Sequence, residues 1–490
     1  MSGATATRRR RRVAAPAATV SGWEDDPGSG PNPTGGVQTV RAVPNLGVQP
    51  YALSIANPAV APTPKRYPVG TVGFRYWAAA EALRRAADFW GSVVPGQRWQ
   101  PGPVLPVDLE HGTDLNAFYD RVGLRFFKDT VRGRTVYSGE SPDVTCHELG
   151  HAVLDSVAPG LWDVSSLEVG AFHESFGDMS SLLSALQLSE MRDTVLRETA
   201  GSIARSSRLS RLAEQLGWAI RAGAPDAVDP DCLRNAANSF SYQDPATLPR
   251  SAPASHLCRE VHSFSRVFTA AALDAMAGMF KAGARIDAEG LLKISQDFAR
   301  ILISAVRASP IVTLFYSQVA AHATAGAGKL FPGTGYSAAL SAAFVKHSIL
   351  SPAGVAGVAS APAEDVAAVV SAFAARSEPQ SLSVEGYGLG VNEVFVVSPD
   401  QTPRFRLAAP RRVVGAAEPD SLEAARSYLE DLLSSGRVRA VFPRPAGSGV
   451  RQSEPSWRHT HELRSEGDRV VLRRLRVNCG SGGCQGCDPV

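Results

Sequence analysis

The stretch TCHELGHAVLD, Thr145 to Asp155, constrains this chain more than any other. Residues four apart share one face of an α-helix, so His147 and His151 would offer two imidazoles to one metal ion, with Glu148 beside them. Local signals place the motif on a helix: Ser141 suits the cap, Pro142 the first position, and Pro159-Gly160 the end. The pentapeptide also arises by chance on ordinary amphipathic helices, so a third ligand has to decide between zinc chemistry and a structural role. A catalytic zinc takes three protein ligands and keeps one position open.

Downstream, EVGAFHESFGDMSSLL offers Glu174 and Asp178, again four apart on one helical face. Glu174 is the candidate third ligand, and Asp178 the acceptor that orients a ligand histidine from behind. His173 adjoins Glu174, but neighbouring residues point about 100° apart on a helix, so it is expected to line the cleft or face away.

Length and composition bound the alternatives. A chain of 490 residues with 44% hydrophobic content can bury one large core or two moderate ones. Its net charge of +3 gives no whole-protein footprint for nucleic acid or an acidic membrane. Six cysteines are too few at this length for a disulfide framework. The basic run Arg8 to Arg12 is followed by VAAPAATVSGWEDD, too short and Pro-broken for a signal-peptide core. No membrane-spanning run is expected either, and the chain reads as soluble, either cytoplasmic or exported by a non-standard route.

Residues 1–67, rich in Pro, Gly, Ala, Ser and Thr, read as a mostly disordered segment. Residues 68–350 read as the main domain. Within it, 68–159 has mixed α and β character: a helix with Trp77, Ala80, Leu83, Ala87 and Trp90 on one face, strands in GPVLPVDLE and LRFFKDTVRGRTVYSG, and the histidine helix. Residues 160–350 read as a helical lobe, 351–380 as a linker and helix, and 381–490 as a small α/β module with a Cys-containing tail. No internal repeat is present.

These motifs together resemble the thermolysin-like neutral metallopeptidases, which are gluzincins with HExxH and a downstream Glu ligand. GAFHESFGD looks like that family's GAxxExxxD helix. LNAFYD resembles its Asn-Ala edge strand, which pairs with bound peptide, making Asn116 and Ala117 candidate substrate contacts. DCLRNAANSFSYQDP resembles its Leu-Arg segment and puts Arg234 in the place of an arginine on the scissile-carbonyl side. EVHSFSRVF resembles its V-H-x-x-S helix and gives His262 the place of the oxyanion-stabilising histidine. The resemblance runs from about Phe74 to Phe280. It implies an α+β, two-lobed metallopeptidase fold with a trimmed N-terminal β part, a mainly helical C-terminal lobe and an added α/β module. One catalytic Zn2+ would be held by His147, His151 and Glu174, with Glu148 as general base in peptide-bond hydrolysis and Arg234 and His262 meeting the oxyanion.

Three departures qualify the likeness. Trp162 stands eleven residues after His151, where the family has a tyrosine that donates to the oxyanion; its indole N–H is the candidate replacement. Leu257 stands where the family has the aspartate that orients the histidine, leaving Glu260 or another residue to serve His262. Asp143 matches one calcium carboxylate, but its usual acidic partner aligns with Ala185, so the paired calcium site is not expected.

Cys146 reads as a packing residue, Cys232 and Cys258 as a possible disulfide in an oxidising compartment, and Cys479, Cys484 and Cys487 as tail thiols or a second metal site. His111, His256, His322 and His347 read as surface or satisfied core histidines. GYGLG, from Gly386 to Gly390, reads as a turn. The first functional reading is a zinc endopeptidase acting on a peptide or protein substrate. The second is a catalytically impaired scaffold on the same fold, against which the intact Glu148 argues. The third, nucleic-acid binding through the basic tails, is disfavoured by the balanced charge. The sequence leaves substrate preference and oligomeric state open.

Overall fold

Hydrophobic side chains lie far earlier in the ordered chain than composition suggests. The computed structural model describes residues 18–30, 35–360, 378–400, 420–441 and 456–479. Three strands, β1 (Thr19–Trp23), β2 (Gln38–Ala42) and β3 (Ala52–Ile55), precede the first helix, α1 (Val72–Val93). Val20 packs with Tyr76 and Trp77 of α1, and Trp23 packs edge-on to Phe74 at 5.2 Å while donating its indole N–H to Glu140 at 3.1 Å. The reading of 1–67 as mostly disordered is therefore corrected for its described part. A few aromatic and apolar residues bury enough surface to order a segment whose average composition is loop-like. The Arg8 to Arg12 run lies outside the described residues.

The mixed part is a six-stranded sheet. β3 pairs parallel with β4 (Val104–Thr113), and β4 pairs parallel with β6 (Leu124–Val131). β6 pairs antiparallel with β5 (Ala117–Tyr119) and, farther along, with β7 (Arg134–Tyr137). Thr71 caps α1 by accepting from Phe74 N, and the predicted face is real: Trp77, Ala80, Leu83, Ala87 and Trp90 are all buried.

The helical part follows as α2 (Pro142–Val157), α3 (Leu167–Ala185), α4 (Ser189–Thr199), α5 (Glu214–Arg221), α6 (Val261–Ala282), α7 (Ala288–Ala308), α8 (Phe315–Leu330), α9 (Tyr336–Lys346) and α10 (Pro352–Ser360). A short ladder, β8 (Arg211–Leu212) with β9 (Arg234–Asn235), flanks α5. One apolar core runs without a break from the sheet through these helices. Part of the expected linker is helical: Pro352 takes the first position of α10, and Ser351 accepts from Gly354 N at 2.9 Å.

The C-terminal module has its own sheet and core. Its strands, β10 (Gln380–Ser383), β11 (Glu393–Val396), β12 (Val438–Val441), β13 (His461–Glu466) and β14 (Arg469–Arg474), are ordered β10-β11-β14-β13-β12. α11 (Ser421–Ser434), capped by Asp420 and stopped before Gly436 at φ 66°, covers them with Ala425, Tyr428 and Leu429. The expectation of a separate module over 381–490 is corrected at its end. After β14 the chain leaves this sheet, and β15 (Val477–Asn478) pairs antiparallel with β5, so it becomes the edge strand of the main sheet. Leu167 and Val261, at the starts of α3 and α6, pack against the module's core and fix it beside the helices that carry the candidate ligands. Among the described residues, no helix is long and apolar enough to cross a membrane.

Candidate metal centre

Two helices meet closely enough for their side chains to share one point. Ser141 caps α2 by accepting from Val144 N at 3.3 Å, with Pro142 at the first position. α2 lies against α3 through small residues. A Cβ on Gly150 would fall 2.6 Å from Ser180 Cβ, and one on Gly177 would fall 2.6 Å from the His147 ring. Only hydrogen at these positions permits this spacing. Ser180 and Ser181 of α3 tie the pair together by donating to the carbonyls of Cys146 and Asp143, at 2.8 and 2.7 Å.

The approach brings His147, His151 and Glu174 together, with potential ligand atoms all within 4.8 Å of one another and all three residues buried. His147 Nε2 lies 3.3 Å from Glu174 Oε2, and His151 Nε2 lies 4.0 Å from Glu174 Oε1. Asp178 takes the predicted position behind His147, accepting from its Nδ1 at 3.1 Å, which leaves Nε2 facing the shared point. Neither ring nitrogen of His151, nor His147 Nε2, Glu174 Oε2 or either oxygen of Glu148, makes a hydrogen bond of sound geometry. Buried polar atoms in that number normally have partners. Two imidazoles and a carboxylate converging in this way fit a divalent cation.

The electrostatics agree. Burial pushes the His151 imidazole down to about 3, keeping it neutral with the lone pair of one ring nitrogen available. Burial also works against charge on His147, but Asp178 and Glu174 outweigh it and raise that imidazole to about 9. The pocket thus calls for one positive charge at His147 Nε2, whether a proton or a metal. Burial opposes ionisation of Glu174, yet the nearby histidines, His262 first, hold it well below the ordinary carboxylate range. Glu148 has less compensation, and burial pushes it up to about 8, a range suited to proton transfer near neutrality.

Arg234, on β9, forks onto Asp178, with Nη2 to Oδ1 at 2.7 Å and Nε to Oδ2 at 3.3 Å. The pair holds Asp178 in place and, against burial, helps lower it to about 2. His262, at the start of α6, places Nε2 3.3 Å from Glu174 Oε2. Its orienting partner is Glu260, which caps α6 and accepts from His262 Nδ1 at 2.6 Å. The replacement for the aspartate missing at Leu257 thus comes from the helix cap.

Asn116 and Ala117 lie at the start of β5, where Asn116 Oδ1 accepts from Ala117 N at 2.8 Å. Their edge is already paired: Cys479 N donates to Ala117 O at 2.9 Å, Val477 faces Tyr119, and Asn478 faces Phe118. The Asn478 carbonyl accepts from His262 Nε2 at 2.5 Å. The buried Cys479 thiol lies within 4.8 Å of ligand atoms of both His147 and Glu148. Sequence spacing gives no hint of this; the only cue is that a short basic strand precedes the cysteine.

Trp162 is corrected as an oxyanion donor. An indole has one N–H, and here it goes to the Arg474 carbonyl at 3.2 Å, while the Arg121 guanidinium stacks on the ring at 4.5 Å. Its ring lies edge-on to that of His173, 6.3 Å between ring centres. His173 itself is fully buried and adjoins His151 at 6.0 Å, outside the three-residue group. Cys232 and Cys258 are both buried, and Cys484 and Cys487 lie outside the described residues.

A second buried cluster sits at the N-terminal end of α2. Asp25, Asp143 and Glu214 bring carboxylate oxygens within 4.8 Å of one another. Asp26 joins them, accepting from Ser141 Oγ at 2.5 Å and from Gln215 N at 2.8 Å. Arg208 and Arg211 reach its rim, at 3.6 Å from Asp25 and 3.5 Å from Glu214. Burial, reinforced by mutual repulsion, raises Asp143 to about 7 and Asp25 and Glu214 well above their ordinary values. The acidic neighbours of Asp143 come from the N-terminal segment and α5, beyond the reach of an alignment with Ala185.

No protein-family model matches the chain, and no curated protein matches its sequence.

Proposed function

We propose that this chain is a zinc-dependent endopeptidase of the thermolysin-like kind. The observation that carries the reading is the meeting of His147, His151 and Glu174, with Glu148 close to His147, beside a sheet edge that pairs with an extended segment of the same chain. Zinc bound by the two histidines and Glu174 would contribute Lewis acidity toward water and a peptide carbonyl.

The chain's own groups account for the rest. β5 holds a peptide as an added strand through Ala117, so the carbonyl to be attacked is placed by backbone hydrogen bonds. Glu148, poised near neutrality and enclosed, takes a proton from water and returns it to the departing amine. His262, oriented by Glu260, donates to the carbonyl oxygen as negative charge grows there. Arg234 acts through Asp178 and holds the His147 tautomer.

The test is zinc content and cleavage of casein or a quenched peptide by the purified protein, run beside Glu148→Ala and a chelator control. Cleavage that disappears in Glu148→Ala while zinc stays bound supports the peptidase. A second reading, a zinc-binding scaffold with impaired catalysis, draws support from the engaged Trp162 N–H and the paired β5 edge. It predicts bound zinc without cleavage in either protein.

A further inference from the structure

β15 lies beside the ligand cluster in the manner of a bound peptide. Its backbone adds antiparallel to β5, Cys479 N donates to Ala117 O, and the Asn478 carbonyl accepts from His262 Nε2. That same Nε2 is 3.3 Å from Glu174 Oε2, so the carbonyl sits at the rim of the ligand cluster. On the other side of the peptide bond, the Cys479 thiol lies within 4.8 Å of His147 and Glu148. The bond joining Asn478 to Cys479 thereby has a donor to its oxygen and an acceptor for its N–H, and the enclosed carboxylate of Glu148 lies beside the thiol of its second residue. Neighbouring contacts hold it there: Arg474 Nε donates to the Trp162 carbonyl at 2.7 Å, and Asn478 Nδ2 to the Trp457 carbonyl at 3.4 Å. The thiol misses the group formed by His147, His151 and Glu174, as expected of a side chain beside the reacting bond.

We infer that the protein cuts its own chain between Asn478 and Cys479, an activity that rests on the zinc-peptidase reading above. Water adds across the bond. Its oxygen joins the Asn478 carbonyl carbon, the C–N bond breaks, and one proton passes by way of Glu148 to the departing nitrogen. The second water proton also ends on that nitrogen, so Asn478 is left as a carboxylate and Cys479, now an ammonium, becomes the first residue of the released segment. Attack within one molecule needs no encounter, so the rate is independent of protein concentration.

Intact-mass spectrometry of the zinc-loaded full chain tests this. The expected result is a product ending at Asn478 that forms with the same half-life over about a tenfold dilution, while Glu148→Ala stays whole. Docking of the strand is read separately, without turnover: in zinc-loaded Glu148→Ala, Cys479 should react with iodoacetamide at least about tenfold more slowly in native protein than in urea. Equal rates overturn the inference. Cys479→Pro removes the N–H that binds Ala117 and loosens β15. A wild-type chain that stays whole while Cys479→Pro cleaves an added quenched peptide overturns self-cleavage and leaves the peptidase standing. A whole wild-type chain with an inert Cys479→Pro overturns both.

Discussion

Two buried clusters of ionisable side chains sit on α2, and their charge balance sets them apart. At the middle of the helix, His147, His151, Arg234 and His262 surround Glu174 and Asp178, and both carboxylates are held below their ordinary range. At its N-terminus, Asp25, Asp26, Asp143 and Glu214 crowd together with arginines only at the rim, and all four are raised. Burial is common to both. What differs is whether the sequence supplies cations from facing elements, and that is why Glu174 and Asp178 keep their charge at neutral pH while Glu148 and the four N-terminal carboxyls are raised.

The largest effect that could break this comparison is catalytic. Glu148→Ala should lower peptide turnover by about 10²–10⁴-fold with zinc content unchanged, as expected for loss of a general base. A loss of only a few-fold would mean that the central cluster does not act as assigned.

The next tests how tightly the central cluster is built. Gly177→Ala drives a methyl group into the His147 ring, and Asp178→Asn removes the carboxylate behind it. Each should weaken zinc binding by about 10–100-fold, measured by competition with a chromogenic chelator. Unchanged affinity in Gly177→Ala would show that α2 and α3 can part without cost.

Acid and base should act oppositely on the two clusters along α2. With chelator present, the raised carboxyl of Asp143 contributes stability that is complete below about pH 4 and lost as pH rises through about 7. The size is on the order of a few kcal/mol, read from denaturant melts across pH. Asp143→Asn should flatten that slope. Asp178, lowered to about 2, behaves in the reverse sense: its contribution is complete above about pH 4 and lost as pH falls through about 2. A chelated wild type that gains stability between pH 4 and 7 would contradict the picture of an undercompensated acidic cluster.

The smallest effect concerns the link between them. Ser141→Ala removes both the α2 cap and the donor to Asp26, and should cost about 1–2 kcal/mol of stability. Zinc affinity should stay within about twofold; a larger change would show that the clusters are coupled through the helix.

The sequence carried the central site because its chemistry is local and periodic. Residues four apart on two helices name His147, His151, Glu174 and Asp178, and cap and stop signals bound α2 correctly. Composition misled at both ends of the chain. Trp23 and Tyr51 are two rings in a segment dominated by small and turn-forming residues, yet each is buried, and each makes a specific contact, with Glu140 and Ser156. The acidic cluster joins residues separated by more than a hundred positions, which no periodicity records. Nothing in the sequence separates β15 from the module, because its pairing with β5 depends on where the module docks. Trp162 shows the same limit, since its one donor is claimed by Arg474, far along the chain.

One consequence of the paired β5 edge concerns other molecules of the same chain. Edge strands with free N–H and C=O groups invite a neighbour's strand and seed aggregation. Val477 and Asn478 close that edge from within, so the surface most suited to gripping a peptide is also shielded from its own copies. A chain stripped of β15 would carry an adhesive margin, and its shelf life in concentrated solution would fall even if every helix remained folded.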